Sequence, residues 1–182
     1  MIRLLLILPV LAACSPRGVA PMRTTLADSS DQVIDSMRTV ITRNGVKTTE
    51  LEADTAWIYQ SRQVADLKGV RIVFYEPSGA ISSTVTADTG MYQMRDGTLD
   101  ARGNVVATTP NGRVVKTEHL IFDRIANQIR SDTAYTFTSP TEEGSGMGFT
   151  TDPDFRRFQT TGARGRQRGP GVILPDKSEG AP

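Results

Sequence analysis

From Val33 onward, apolar or small residues alternate with polar ones at period two, the pattern of strands that bury one face. Met37, Thr39 and Ile41 alternate with Arg38, Val40 and Thr42, and Asn44-Gly45 then offers the positive φ angles of a two-residue hairpin turn. On the return, Leu51, Ala53, Thr55, Trp57 and Tyr59 fall on one face, opposed by Glu50, Glu52, Asp54, Ala56 and Ile58. The alternation continues through Val85 to Met91, Leu99 to Ala107, Val115 to Ile121 and Ile129 to Phe137. Breakers separate these runs: Glu76-Pro77-Ser78-Gly79, Arg95-Asp96-Gly97, Pro110-Asn111-Gly112 and Ala126-Asn127-Gln128. No helical period of useful length interrupts them, so the pattern predicts an all-β domain of about nine to eleven antiparallel strands, a sandwich, barrel or jelly roll.

The strands also repeat. Ala53-Asp54-Thr55 returns as Ala87-Asp88-Thr89, 34 positions on, and Gly69-Val70 returns at the same interval as Gly103-Asn104-Val105. A weaker third copy runs through Thr117-Glu118-His119-Leu120 and Ser131-Asp132-Thr133. A fixed period marks stacked units that share one core, because no single unit can bury its apolar face alone. The predicted interior is rich in small residues, Ala53, Ala87, Ala101, Gly103 and Ala107, which points to a slightly open roll.

Composition narrows the class. With 182 residues, net charge +1 and 23% charged residues, the chain suits one modest domain and gives no electrostatic case for nucleic acid. All eleven aromatics (one Trp, four Tyr, six Phe) lie between Trp57 and Phe158, which locates the core. Beyond Gln159, glycine and proline accumulate without aromatics, so residues 159–182 read as a disordered tail.

Cys14 is the single cysteine, so no intrachain disulfide or cysteine-based zinc cluster can form. Met1-Ile2-Arg3 precedes an apolar run from Leu4 to Ala13 that would rise only about 15 Å as a helix, half of a hydrocarbon core, and Pro9 interrupts it. This is a secretion signal rather than a span. Leu11-Ala12-Ala13-Cys14 resembles the lipobox of bacterial lipoproteins, which implies a signal over 1–13, lipidation of Cys14 and a flexible tether over 14–32. A cleaved signal with an incidental cysteine is the alternative.

Candidate catalytic chemistry is sparse. Asp88-Thr89-Gly90 matches the short signature of aspartic proteases, yet the first copy reads Asp54-Thr55-Ala56, so it occupies a repeat slot. His119 is the sole imidazole and falls on the expected core register, where a structural role is the simpler reading. Gly144-Ser145-Gly146-Met147-Gly148 lacks the helix that a phosphate loop needs, and close strand approach accounts for its glycines. Asp152-Pro153-Asp154 reads as a turn, since nothing supplies the remaining oxygens of a calcium site. No cofactor, no metal and no enzymatic activity are expected.

The Ala-Asp-Thr strand openings, Gly103-Asn104-Val105, Thr117-Glu118-His119-Leu120 and Gly146-Met147-Gly148-Phe149, in this order over Val33 to Phe158, resemble the LptC family of lipopolysaccharide-export proteins. The resemblance implies a periplasmic, twisted and incompletely closed β-jelly roll over 33–158. It implies lipopolysaccharide as ligand, an inner-membrane ABC transporter as donor and the periplasmic bridge protein LptA as acceptor. Members of the family carry a transmembrane helix where this chain has its lipobox-like signal, so Cys14 would replace the helix as an anchor, by family role in the inner membrane.

On that reading Trp57, Tyr59, Met91, Leu99, Val105, Ile121, Tyr135 and Phe137 are candidates for the lining of an acyl-chain groove; filling a closed core is their alternative role. A terminal strand carrying Gly148, Phe149, Phe155 and Phe158 is the expected edge for pairing with the bridge protein. The competing reading of the whole chain is a scaffolding envelope lipoprotein that carries no lipid.

Overall fold

The structure is a computed structural model and describes residues 30–167. Nine antiparallel strands form one sheet in which every strand neighbours its successor: β1 (Gln32–Arg43), β2 (Val46–Tyr59), β3 (Val64–Tyr75), β4 (Ile81–Gln93), β5 (Leu99–Thr108), β6 (Val114–Asp123), β7 (Gln128–Thr138), β8 (Glu142–Thr151) and β9 (Gln159–Gln167). β1 and β9 do not pair, so the sheet is open and has two edges. The signal, Cys14, nearly all of the tether, and the tail from 168 onward lie outside the described residues. Residues 159–167, expected in the tail, instead form β9 against β8.

The alternation that predicts the strands breaks once in each of β2 to β7, at one level across the sheet. In β2 the inward positions step from Ala53 to Ala56, in β3 from Leu67 to Val70, in β4 from Ala87 to Gly90 and in β6 from Thr117 to Leu120. In β5 and β7 the step is four, from Ala101 to Val105 and from Ser131 to Tyr135, because each carries one extra residue against both neighbours. These are β-bulges, and bulges bend a sheet. Positive φ at Ser36, Gly69, Gly103, Asn104 and Gly148 marks the same line.

This crease is the structural meaning of the repeat. A Cβ on Gly69 would overlap the Asp54 carboxylate, and one on Gly103 would stand 2.9 Å from Oδ2 of Asp88. Aspartate in one strand therefore sits over a bare, left-handed glycine in the next. Asn104 Nδ2 donates to the same Asp88 oxygen at 2.7 Å.

Folding at the crease brings two arms together over one core. The first arm contributes the cross-strand row Leu51, Ile72, Val85, Ala107, Val115 and Phe137, the second the row Ala56, Leu67, Gly90, Ala101 and Leu120. Phe74 of the first arm meets Phe122 of the second edge to face, with centroids 4.8 Å apart, although β3 and β6 are not sheet neighbours. The buried residues of both arms form one cluster. Half-buried Ile34, Met37, Ile58, Tyr92, Phe137 and Phe158 pack against it.

Candidate functional site: an apolar interior between two arms

The interior runs parallel to the crease, from the β1 edge to the β9 edge, and its walls are the inward rows of the two arms. Apolar side chains at period two make each wall; the bulges and paired polar residues at the crease keep both walls facing inward. At the β1 end the wall is Ile34 and Met37, half-buried. Toward β9 it becomes aromatic: Tyr135 packs edge to face on Phe149 at 5.2 Å and on Phe158 at 5.3 Å, and Phe149 stacks on Phe158 at 4.7 Å. Glycines make room for these rings, since a Cβ on Gly146 would meet Tyr135 and one on Gly144 would meet Phe137. Tyr135 Oη donates to Thr160 Oγ1 at 2.7 Å, which satisfies its only polar atom.

The eight expected lining residues divide four and four. Leu99, Val105, Tyr135 and Phe137 face the interior, the first three buried and Phe137 half-buried. Trp57, Met91 and Ile121 occupy the row Val33, Trp57, Asp66, Met91, Asp100, Ile121 and Arg130, which points outward between buried inward rows. Tyr59 lies under the Arg62 guanidinium, 4.0 Å from its ring centroid. Uniform alternation from Leu51 to Tyr59 assigns Trp57 and Tyr59 inward, whereas the break at Asp54 puts Ala56 and Ile58 there instead. Ala56, Leu67, Leu120, Phe122 and Phe149 are interior residues absent from the expected set. Two consecutive polar residues interrupting each alternation, such as Asp88-Thr89 and Glu118-His119, are the signal that marks them.

The expected terminal edge also differs. Gly148 and Phe149 belong to β8, which is flanked by β7 and β9, while Phe155 and Phe158 sit in the connection that follows. Phe149 and Phe155 are buried. Among the described residues the C-terminal edge is β9, with exposed Arg164 and Arg166. Charged side chains blunt it, whereas the β1 edge exposes Val33 and Val40.

His119 lies on the outer side of the crease, not on the core register. Its Nδ1 is 2.9 Å from Asp132 Oδ1 and its Nε2 3.2 Å from Asp100 Oδ1, which ties β5, β6 and β7 together. The Arg102 guanidinium, paired with both oxygens of Asp100, holds that carboxyl below its ordinary range, and the His119 hydrogen bond does so for Asp132. Asp88 faces Gly103 and Asn104 rather than a second carboxylate, so no shared-proton pair exists there. Asp152 closes a turn, its Oδ1 accepting from the Arg156 backbone N–H at 2.9 Å. Among the described residues no cluster of three or more metal-ligating side chains occurs.

On the outer face of the first arm, Glu50 is buried, its side chain 3% exposed, under Arg38, Lys47 and Tyr75. Hydrogen bonds from Lys47 first, then Arg38, bring its pKa down to about 2. This cluster closes the outer surface over β1, β2 and β3, which leaves the apolar faces turned inward.

A structure of LptH, the LptA-homologous periplasmic component of the lipopolysaccharide transport device of Pseudomonas aeruginosa, is similar in fold. Its TM-score is 0.50 at 15% identity, over 70% of this chain and 95% of that one. No curated protein matches this chain. The family described as lipopolysaccharide-assembly, LptC-related, matches residues 2–161. This all-β, open, creased chain belongs to that lipopolysaccharide-assembly, LptC-related family.

Proposed function

We propose that this protein is a periplasmic transfer module, anchored to the inner membrane through acylated Cys14, that accepts lipopolysaccharide from an ABC exporter and passes it to an LptA-type bridge protein. The family match over 2–161 carries this reading. Geometry supports it: acyl chains need a continuous apolar path, and the interior between the arms runs from one open sheet edge to the other. Leu99, Val105, Tyr135 and Phe137, joined by Leu120, Phe122 and Phe149, would line that path. The exporter would supply the energy, and the module would contribute binding alone.

Strand addition at β9 would continue the sheet, and with it the interior, into the bridge protein. Photocrosslinkers at Gln159 and Arg166 are expected to capture the bridge protein in cells, and palmitate labelling is expected to vanish in Cys14→Ser. Capture from β1 positions alone, or labelling that persists in Cys14→Ser, would contradict the respective parts.

One observation favours the second reading, a scaffold that carries no lipid: the interior is filled by side chains, with Phe155 of the β8–β9 connection only 1% exposed. Lipopolysaccharide crosslinking from interior positions separates the two.

A further inference from the structure

The β8–β9 connection, residues 152–158, is the longest between consecutive strands and carries core residues of its own. Pro153 and Phe155 are buried, and Phe158 packs on the cluster. Starting at the tip of the second arm, it reaches the tip of the first. Ser83 Oγ of β4 donates to the carbonyl of Pro153, Arg113 Nη1 from the β5–β6 turn donates to the carbonyl of Phe155, and Arg156 Nη2 pairs with Glu76 of the β3–β4 turn at 2.6 Å. No strand ladder holds it there.

Phe155 has φ +55°, a left-handed conformation that a bulky side chain adopts at a cost. Burial of its ring offsets that cost, so the turn begun at Asp152 carries a strap closed by one aromatic. Beside it, Arg113, Val115, Phe137, Glu142, Arg156 and Phe158 surround an open cavity of about 270 Å³. Nε of Arg113 is buried there without a hydrogen-bond acceptor. An orphaned guanidinium N–H next to Val115, Phe137 and Phe158, with Arg156 as a second cation offsetting Glu142, suits an anionic group attached to a hydrocarbon.

We infer that the space filled by Phe155 is a subsite for one hydrocarbon chain of an amphiphile with an anionic head, the strap 152–158 being displaced when the chain enters and Arg113 meeting the head. The inference rests on the transfer reading and adds to it the element that must move. In the ligand-free protein the strap keeps apolar surface out of water; a chain that replaces Phe155 covers the same surface and releases the left-handed backbone.

The test uses the full chain carrying Cys14→Ser, with dodecyl phosphate, dodecyl maltoside and inorganic phosphate as probes. Saturating dodecyl phosphate is expected to speed backbone amide exchange at 154–158 by about tenfold, and inorganic phosphate to leave it unchanged. Phe155→Ala, which empties the subsite, should bind dodecyl phosphate about fivefold more tightly; Ser83→Ala, which removes a latch and keeps the ring, should tighten it by about twofold. Arg113→Met should erase the preference for dodecyl phosphate over dodecyl maltoside.

Unchanged or slowed exchange at 154–158, or no gain in affinity in either Phe155→Ala or Ser83→Ala, overturns the strap. If dodecyl phosphate perturbs Leu99 and Val105 while the strap stays shut, the inference falls and the transfer reading stands. If the strap opens with dodecyl phosphate but lipopolysaccharide never crosslinks to the interior, the subsite stands and the transfer reading falls.

Discussion

The two sides of the sheet build the same crease and fill it differently. In β1 to β4 the interior is mainly aliphatic, Leu51, Ile72 and Val85 being fully buried around the single buried ring of Phe74, and the outer face is locked by the Glu50 cluster. In β7 to β9 it is aromatic: Tyr135, Phe149 and Phe158 stack over a strand thinned by Gly144 and Gly146, and Phe137 and Phe158 are half-buried. Close-packed aliphatics resist any change in volume, whereas a ring stack concentrates buried area and contact in few side chains. The difference teaches that the β1 side holds its shape through many small aliphatic contacts and an outer ion-pair cluster, whereas the β9 side depends on a few large rings, next to the strap and the edge proposed for the bridge protein.

The largest expected effect comes from the aromatic side. Phe149→Ala removes the ring that contacts both Tyr135 and Phe158 and should destabilise the chain by about 4 kcal/mol in chemical denaturation. A loss below about 1 kcal/mol would mean that this side is no packed core at all.

Next in size is the crease. Gly69→Ala meets both a φ of +63° and the Asp54 carboxylate, and should cost about 3 kcal/mol. Gly79→Ala, at φ +87° with open space around it, should cost only about 1 kcal/mol. Adding Asp54→Ala to Gly69→Ala should recover roughly 1 kcal/mol, a non-additivity that identifies the aspartate as the obstacle. Equal costs at Gly69 and Gly79 would show that conformation alone, not the stacked carboxylate, sets the glycine.

On the aliphatic side, Ile72→Val should cost about 1 kcal/mol, reflecting a site that cannot collapse around a lost methylene. The smallest effect is a pH dependence. Glu50 is held at about 2, below the usual carboxylate value, so its contribution is complete above the unfolded-state pKa near 4.5 and fades as pH falls through about 2. Thermal midpoints of the wild type should therefore decline below pH 5 more steeply than those of Glu50→Gln. Parallel curves would remove Glu50 from the account.

Much of the fold is legible in the sequence because period two and turn glycines report local geometry. Asn44-Gly45 has φ of 52° and 78°, as its hairpin requires, and Gly79, Gly97 and Gly112 stand at positive φ in their turns. The crease is harder to read because its residues carry two messages. Ala53-Asp54-Thr55 looks like an ordinary step of alternation, yet Asp54 is where the inward face changes parity, and that depends on Gly69 in the neighbouring strand. Four of the eight lining positions follow the wrong parity for that reason, and His119 with them. Phe155 and Phe158 resemble an edge strand by composition. Only tertiary contacts to Ser83, Glu76 and Arg113 reveal a strap.

The central claim is that the inward faces of the creased sheet, and not its outward row, carry the acyl chains. Photocrosslinkers placed one at a time at Ile58 and Phe137, both inward and half-buried, and at Trp57 and Met91, both outward, test it in cells that export lipopolysaccharide. The account predicts lipopolysaccharide adducts from Ile58 and Phe137 and none from Trp57 or Met91; adducts from the outward pair alone would contradict it.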